Sequence, residues 1–325
     1  MNDDARTTTA RAATLYAAAL LCSFFLSACA GPTGEPAKII ARRPSLLQVT
    51  GQEAGVDHPL AAYGLPELAA GFTQPPTTLV QRDGWVALHS DLDRIPLWVC
   101  QRLDSTDTVG DADRDSCSWH SDPQLGDGPT ATDPDYTHSG YARGHMAPAN
   151  DYSFSQTETC ETFFFTNCCP QIQNGFNSGI WSSLEADCQD AAEARGSVFI
   201  ITGPIFYDPV DDESAAEYDA AYDDDIVEYY VIGTNMVAVP TYYYKIVIDA
   251  TDEESPSAIG FVLENRRYVK SVDGPRFQAK HTRSIRWIEQ RTGLDFMPLL
   301  DEVGVDPDDF ETAEAVLTDW PEFMP

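Results

Sequence analysis

The segment Tyr141-Ala142-Arg143-Gly144-His145-Met146-Ala147-Pro148-Ala149-Asn150 sets a histidine beside an arginine and a glycine, at the end of a short apolar stretch. Thirty-two residues beyond that histidine, the run Asn177-Ser178-Gly179-Ile180-Trp181-Ser182-Ser183-Leu184-Glu185 has the spacing of an amphipathic helix. An imidazole, an amide oxygen, a carboxylate and an arginine form a set suited to cleaving a phosphodiester with one metal ion. That reaction needs a water deprotonated, charge on the pentacoordinate phosphate offset and the leaving oxygen stabilised. A neutral imidazole at His145 can take the proton near neutral pH. Asn177 can offer an oxygen to Mg2+, which keeps several waters and accepts only one or two protein oxygens. Glu185 lies about two helical turns further on and shares a broad face with Asn177, where a carboxylate could hold a metal-bound water. Arg143 or Arg114 could form charge-assisted bonds to the phosphate. Taken singly, each residue has an ordinary structural role: helix cap, solvated helix residue, core histidine, ion-pair arginine. Their joint occurrence carries the chemical reading.

The elements that must position these groups are short and mostly extended. Gly84 to His89, Ile95 to Cys100, Ser197 to Gly203, Tyr242 to Ile248 and Ser257 to Leu263 read as strands, with Phe163 to Asn167 as a short buried one. A helix is predicted over Asn177 to Glu193, with Ile180, Leu184 and Cys188 on one face. Another is predicted from about Thr282 to Arg291, closed by Gly293. Asp104 to Asp135 reads as polar loop, and there are no internal repeats. Strands with few, segregated helices indicate an α+β fold.

The N-terminus is set apart. Arg6 and Arg11 flank a small charged region, Ala12 to Phe25 is an apolar core too short to span a bilayer comfortably, and Leu26-Ser27-Ala28-Cys29 follows. This ending resembles the lipobox of bacterial lipoproteins. Residues 1–28 would then be a signal peptide, cleaved to leave a lipidated Cys29, and Ala30 fits the outer-membrane sorting pattern. Residues 29–77, with scattered Pro and Gly, read as a tether carrying one short helix near Leu65 to Ala70. The functional domain occupies residues 78–325. Export leaves Cys100, Cys117, Cys160, Cys168, Cys169 and Cys188, an even set predicting up to three disulfides in any of fifteen pairings. Cys160, Cys168, Cys169 and Cys188 bracket the chemical segment and read as its staples.

Charge pulls against a polyanionic substrate. The formal net charge is −32, whereas nucleic-acid binders usually show a basic surface. The imbalance is uneven. Residues 266 to 291 hold eight of the chain's twenty basic residues, opposed only by Asp273 and Glu289. Asp208 to Glu228 holds ten acidic residues in an order unlike an EF-hand and reads as a solvated loop.

Arg143-Gly144-His145-Met146-Ala147-Pro148-Ala149, then Thr166-Asn167-Cys168-Cys169-Pro170-Gln171, then Phe176-Asn177 through Trp181 to Leu184-Glu185 resembles the DNA/RNA non-specific endonucleases of the ββα-metal (His-Me finger) superfamily. The likeness runs from about residue 80 to 323, taking in Asp113-Arg114-Asp115, Ile201-Thr202-Gly203-Pro204, Val239 to Lys245 and Ile288 to Leu294. It implies a mainly antiparallel mixed sheet bearing a ββα-metal motif. It also implies His145 as general base, Asn177 as direct Mg2+ ligand with Mn2+ as a substitute ion, and Glu185 orienting metal-bound water. Arg114 and Arg143 would stabilise the transition state, Asn167 would support the site from the strand paired with that of His145, and DNA and RNA would be cut to 5′-phosphate ends. The chain departs from the pattern at Ala142, where the family usually has Asp, and its Gln171-to-Asn177 spacing is one residue longer than in some members. Two rival readings follow: a phosphodiesterase of narrower specificity, and a catalytically impaired surface lipoprotein acting as a binding module.

Overall fold

The computed structural model describes residues 27–29, 38–44, 63–69, 76–224, 226–251, 256–273, 281–313 and 319–323. The apolar N-terminal run, much of the expected tether, and Arg276 and Lys280 of the basic stretch lie outside them. Strands β1 (Ser27–Cys29), β2 (Lys38–Pro44), β3 (Glu67–Leu68), β4 (Thr77–Gln81), β5 (Trp85–Ser90), β6 (Ile95–Asp104), β7 (Tyr141–His145) and β8 (Cys168–Ile172) come first. They are followed by β9 (Ser197–Ile205), β10 (Ile226–Ile232), β11 (Val237–Ala238), β12 (Tyr242–Asp249), β13 (Ser257–Glu264), β14 (Thr282–Arg283) and β15 (Leu294–Asp295). The helices are α1 (Asp133–Tyr136), α2 (Gln156–Glu161), α3 (Ser182–Arg195), α4 (Lys270–Asp273), α5 (Ile285–Thr292) and α6 (Pro307–Thr312).

A seven-stranded sheet in the order β14-β13-β12-β9-β6-β5-β4 forms the centre, antiparallel at every step. This is the antiparallel α+β architecture expected. Successive side chains in a strand face opposite ways, and the sheet buries both faces. Trp85, Ala87, Val99, Leu103, Val198, Ile200, Tyr243 and Val247 pack on one face with Trp181, Leu184 and Cys188 of the α3 region. Val86, Trp98, Ile201, Tyr244, Ile246 and Ile248 pack on the other with Ile285, Ile288 and Phe296. The β7–β8 hairpin and α3 belong to the first layer, so the sheet is the floor beneath them.

Several local expectations are corrected. Residues Phe165–Asn167 form a 3-10 turn and not a strand, and the strand begins at Cys168. The three phenylalanines are buried in different directions, Phe163 on His145, Phe164 on His120 and Phe165 on Tyr136, so no alternation survives. The short helix near Leu65 is instead the strand β3, paired with β15. Pro66 biases Leu65 towards extended backbone, and Tyr63 and Leu65 are drawn into the second core. Within residues 29–77, Lys38–Pro44 also pairs with β10. The helix expected from Asn177 starts only at Ser182, because Gly175 (φ 84°) and Gly179 (φ −148°, ψ −112°) interrupt Gln173–Trp181. The helix before Gly293 starts at Ile285, with the Ser284 hydroxyl accepting from the Trp287 N–H and Gly293 left-handed at its end. The staples reduce to one disulfide, Cys117–Cys160; Cys100, Cys168, Cys169 and Cys188 are buried free thiols. The last three pack in the core beneath β8 and α3, and burial pushes each of them up.

Candidate active site

β7 pairs with β8 in antiparallel register, placing His145 opposite Cys168 and Gly144 opposite Cys169. Gly144 has no room for a side chain: a Cβ there would lie 2.2 Å from the Gln171 amide. Immediately after His145, the chain is clamped by Asn167. Its buried Oδ1 accepts from the Ala147 N–H (2.8 Å), and its Nδ2 donates to the carbonyls of Ala147 and Thr162, each at 2.9 Å. Asn167 thus supports the His145 hairpin from beneath and does not line the cleft above it.

A cleft of about 350 Å3 is lined by Arg114, His145, Asn150, Asn177, Glu185 and Gln189, among others. His145 sits against Trp119 (ring centroids 4.5 Å) and edge-on to Phe163 (4.8 Å). Its Nε2 is enclosed without a hydrogen-bond partner, which leaves Nδ1 as the nitrogen able to meet a water. Burial, reinforced by the nearby Arg114 cation, pushes the imidazole down to about 3. The ring is therefore neutral at physiological pH, although the same surroundings weaken it as a base.

Asn177 stands just before α3, and its side chain does not cap the helix. Its backbone carbonyl takes the Ser182 N–H, while its amide nitrogen reaches only Gln173 Oε1 at 3.5 Å. The amide oxygen remains available towards the cleft. Glu185, in the first turn of α3, makes no ion pair among the described residues; burial pushes its carboxyl up to about 8, partly opposed by the Lys245 cation. Asn177 and Glu185 are an all-oxygen donor pair in a cleft wide enough for retained waters, which fits Mg2+.

Arg114 is carried by a 3-10 turn, Arg114–Ser116, whose preceding Asp113 side chain accepts from the Asp115 N–H. The Cys117–Cys160 disulfide and Gln156 tie this turn to α2. The guanidinium donates to Asn150 Oδ1 at 3.1 Å, a neutral partner. Arg143 is placed differently: outside the cleft lining, it pairs with Asp133 at 2.7 Å and lies over the Tyr136 ring. The carboxylate absent at Ala142 is thus met for Arg143 from α1.

Beneath the cleft is a polar layer that the sequence reading missed. Buried Asp151 accepts from Gln101 and Gln189, each at 2.7 Å, and Tyr152 donates to Gln101 at 2.9 Å. Burial pushes Asp151 up to about 6, opposed by those amide donors. Lys245, fully buried, donates to Thr202 at 2.8 Å and lies 5.0 Å from the Trp181 ring. Alternation along β12 was the available signal, since Lys245 falls in register with Tyr243 and Val247 on the α3 side.

Two antiparallel strands followed by a helix, with His145 closing the first strand and Asn177 and Glu185 at the helix entrance, constitute a ββα-metal nuclease fold. The sequence pattern of the DNA/RNA non-specific endonucleases matches residues 68–302, and the chain belongs to that family. It is 33% identical over 262 residues to the mitochondrial nuclease EXOG of Xenopus laevis, covering 80% of this chain and 66% of that one, just under two thirds of the relative's length. It is 31% identical to human mitochondrial endonuclease G (74% and 73% covered) and 31% identical to nuclease C1 of Cunninghamella echinulata var. echinulata (74% and 87%). The EndoG structure from an EndoG/EndoGI complex superposes with a TM-score of 0.61 at 26% identity, covering 74% of this chain and 90% of that one.

Proposed function

We propose that this protein is an exported, lipid-anchored endonuclease that uses Mg2+ to hydrolyse DNA and RNA to 5′-phosphate ends. The observation that carries the reading is the convergence of Arg114, His145, Asn177 and Glu185 on one cleft. Asn177 would hold the metal ion and Glu185 would orient one of its waters; the ion supplies positive charge to stabilise the leaving oxygen. His145 takes the proton of the attacking water at Nδ1, its ring held in orientation by Trp119 and Phe163. Arg114 offsets charge on the phosphate through charge-assisted hydrogen bonds. Arg143 supports the hairpin through Asp133 and reaches phosphate only if that pair opens. Contacts to the backbone and not to base edges give little sequence preference.

Export rests on the N-terminal pattern ending in Cys29, and the Cys117–Cys160 disulfide agrees with an oxidising compartment. The named animal relatives are mitochondrial, so the destination is argued from this chain's own leader.

Purified protein incubated with plasmid, single-stranded DNA and RNA, with Mg2+ or EDTA, tests the activity. Cleavage only with metal is the expected result; no metal-dependent cleavage of any polymer overturns it and leaves the binding-module reading. Cell fractionation tests the anchor: Cys29→Ser should move the protein from the membrane to the soluble fraction, and an unchanged distribution refutes lipidation.

A further inference from the structure

The arginines of this acidic chain are mostly consumed by its own carboxylates. Arg82 pairs with Asp122, Arg102 with Asp104, Arg143 with Asp133, Arg195 with Asp249 and Glu322, and Arg291 with Asp212. Within the basic stretch, Arg266 is held by Glu264 and Asp273, and Arg286 by Asp308 and Glu311. The guanidinium of Arg267 is exposed and has no hydrogen bond or ion pair among the described residues.

Its place is fixed although its tip is unpaired. Asn265 accepts from the Ile172 N–H at 2.9 Å and donates to the carbonyls of Pro170 and Pro240 at 3.0 Å, tying this loop to β8. Tyr268 packs on Phe176, and Arg266 lies 4.1 Å over the Tyr268 ring. Gly175, two residues before Asn177, is left-handed (φ +84°). A Cβ built on it would sit 2.4 Å from the Tyr268 carbonyl and 3.1 Å from Arg267 Cγ. The stem of Arg267 therefore lies against the loop that presents Asn177, in a backbone anchored on both sides.

We propose that Arg267 contacts a phosphate of the nucleic acid strand where it leaves the cleft past the Asn177 loop, adding affinity for polymer without taking part in bond cleavage. This rests on the nuclease reading above. In a molecule of net charge −32, long-range attraction for a polyanion is absent, so binding must come from individual unneutralised cations placed beside the cleft. Arg114 inside the cleft is one, and Arg267 on the flank of the loop is another.

Fluorescence anisotropy of a labelled single-stranded oligonucleotide of about 20 nucleotides, titrated in EDTA across a salt series, separates binding from turnover. Arg267→Ala should raise Kd about fivefold and reduce the slope of log K against log salt by about 1. Arg267→Lys should recover most of both. Arg102→Ala, which removes another exposed but ion-paired charge, should change neither. With Mg2+ and a long substrate, Arg267→Ala should raise KM with kcat within about twofold of wild type, the pattern of lost uniform binding. The proposal is overturned if Arg267→Ala leaves Kd and slope unchanged, if Arg102→Ala weakens binding as much, or if the wild-type chain binds no oligonucleotide. Failure of the nuclease reading shows separately, as absence of Mg2+-dependent cleavage by a wild-type chain that still binds.

Discussion

Two concave regions of the molecule invite comparison: the cleft at the β7–β8–α3 unit, and a cavity of about 770 Å3 lined by Tyr207, Tyr242, Tyr268, Trp287, Arg266 and Arg283. The second has more than twice the volume of the first (about 350 Å3), more aromatic surface and a share of the basic stretch. By size or charge it would be the better candidate for binding nucleic acid. The arginines around it are already held by carboxylates, however. Arg291 is held by Asp212 and stacks 4.0 Å from the Trp287 ring, and Arg266 is held by Glu264 and Asp273. In the smaller cleft, Arg114 has a neutral partner and Glu185 has no ion pair among the described residues. Hydrogen-bonding capacity left unspent costs free energy in a folded chain. A cation and a carboxyl left without ion pairs at one cleft mark where a ligand would complete the structure.

The contrast predicts unequal mutational effects. His145→Ala should lower kcat on DNA about a thousandfold, in the range for loss of a general base, with the far-UV circular dichroism unchanged. Arg291→Ala should keep activity within about twofold, since an ion pair at that depth serves local packing. Equal losses at the two positions would remove the distinction between the regions. Glu185→Gln should lower activity about ten- to a hundredfold, as for removal of a group that orients a metal-bound water. A Mg2+ titration should not restore the wild-type rate. A fully active Glu185→Gln enzyme would mean the carboxylate merely solvates the helix.

Much of the cleft could be read from residue order, because its contributors lie in three short segments whose local geometry is set by neighbours. Gly144 and Asn167 are legible for that reason, and so is Ile180-Leu184-Cys188 as the buried face of α3. Lengths and neighbours at a distance were not. Asn177 lies ahead of the helix because Gly175 and Gly179 break the regular turn, an effect that apolar periodicity alone cannot register. The basic stretch read as a patch because its partners, Asp212, Asp308 and Glu311, come from remote sequence and fold onto it. Loop and strand patterns assign no role to Trp119, Asp133 or Lys245, yet they hold His145, Arg143 and the underside of the cleft. The cysteines misled for a similar reason: an even count permits bridges, but burial of Cys168, Cys169 and Cys188 in the core uses them as small apolar groups.

Asn167 tests whether the unspent groups of the cleft depend on a fully spent scaffold beneath. Asn167→Ala leaves the Ala147 N–H and two carbonyls without their partner, at about 1–3 kcal/mol for each group left unsatisfied. A loss near 3 kcal/mol in urea unfolding, with reduced activity in the surviving folded fraction, is the expected result. Asn167→Asp should recover less than half of it, since a carboxylate cannot donate to the carbonyls of Ala147 and Thr162. Wild-type stability in the Ala variant would show that the hairpin is held by β7–β8 pairing alone.

The smallest effect should come from the satisfied side of the molecule. Glu289, Asp295 and Glu311 bring carboxylate oxygens within 4.8 Å of one another near Arg286, where α5 meets α6. Burial pushes Glu289 and Glu311 up; the Glu311 charge raises Glu289 further, whereas the hydrogen bond with Glu289 lowers Glu311. A carboxyl whose folded-state value lies above its unfolded value binds its proton more tightly when folded. Its stabilising contribution is complete below the ordinary carboxylate range and fades as pH rises through the raised value. Glu289→Gln keeps an oxygen to accept from the Phe296 N–H while removing the charge. It should therefore be close to neutral at pH 5 and stabilising by about 1 kcal/mol at pH 8, with kcat unchanged because the pair lies outside the cleft lining. Thermal melts at the two pH values measure this. A variant that is less stable at pH 8 than at pH 5, relative to wild type, would show that the Arg286 ion pairs outweigh the carboxylate repulsion.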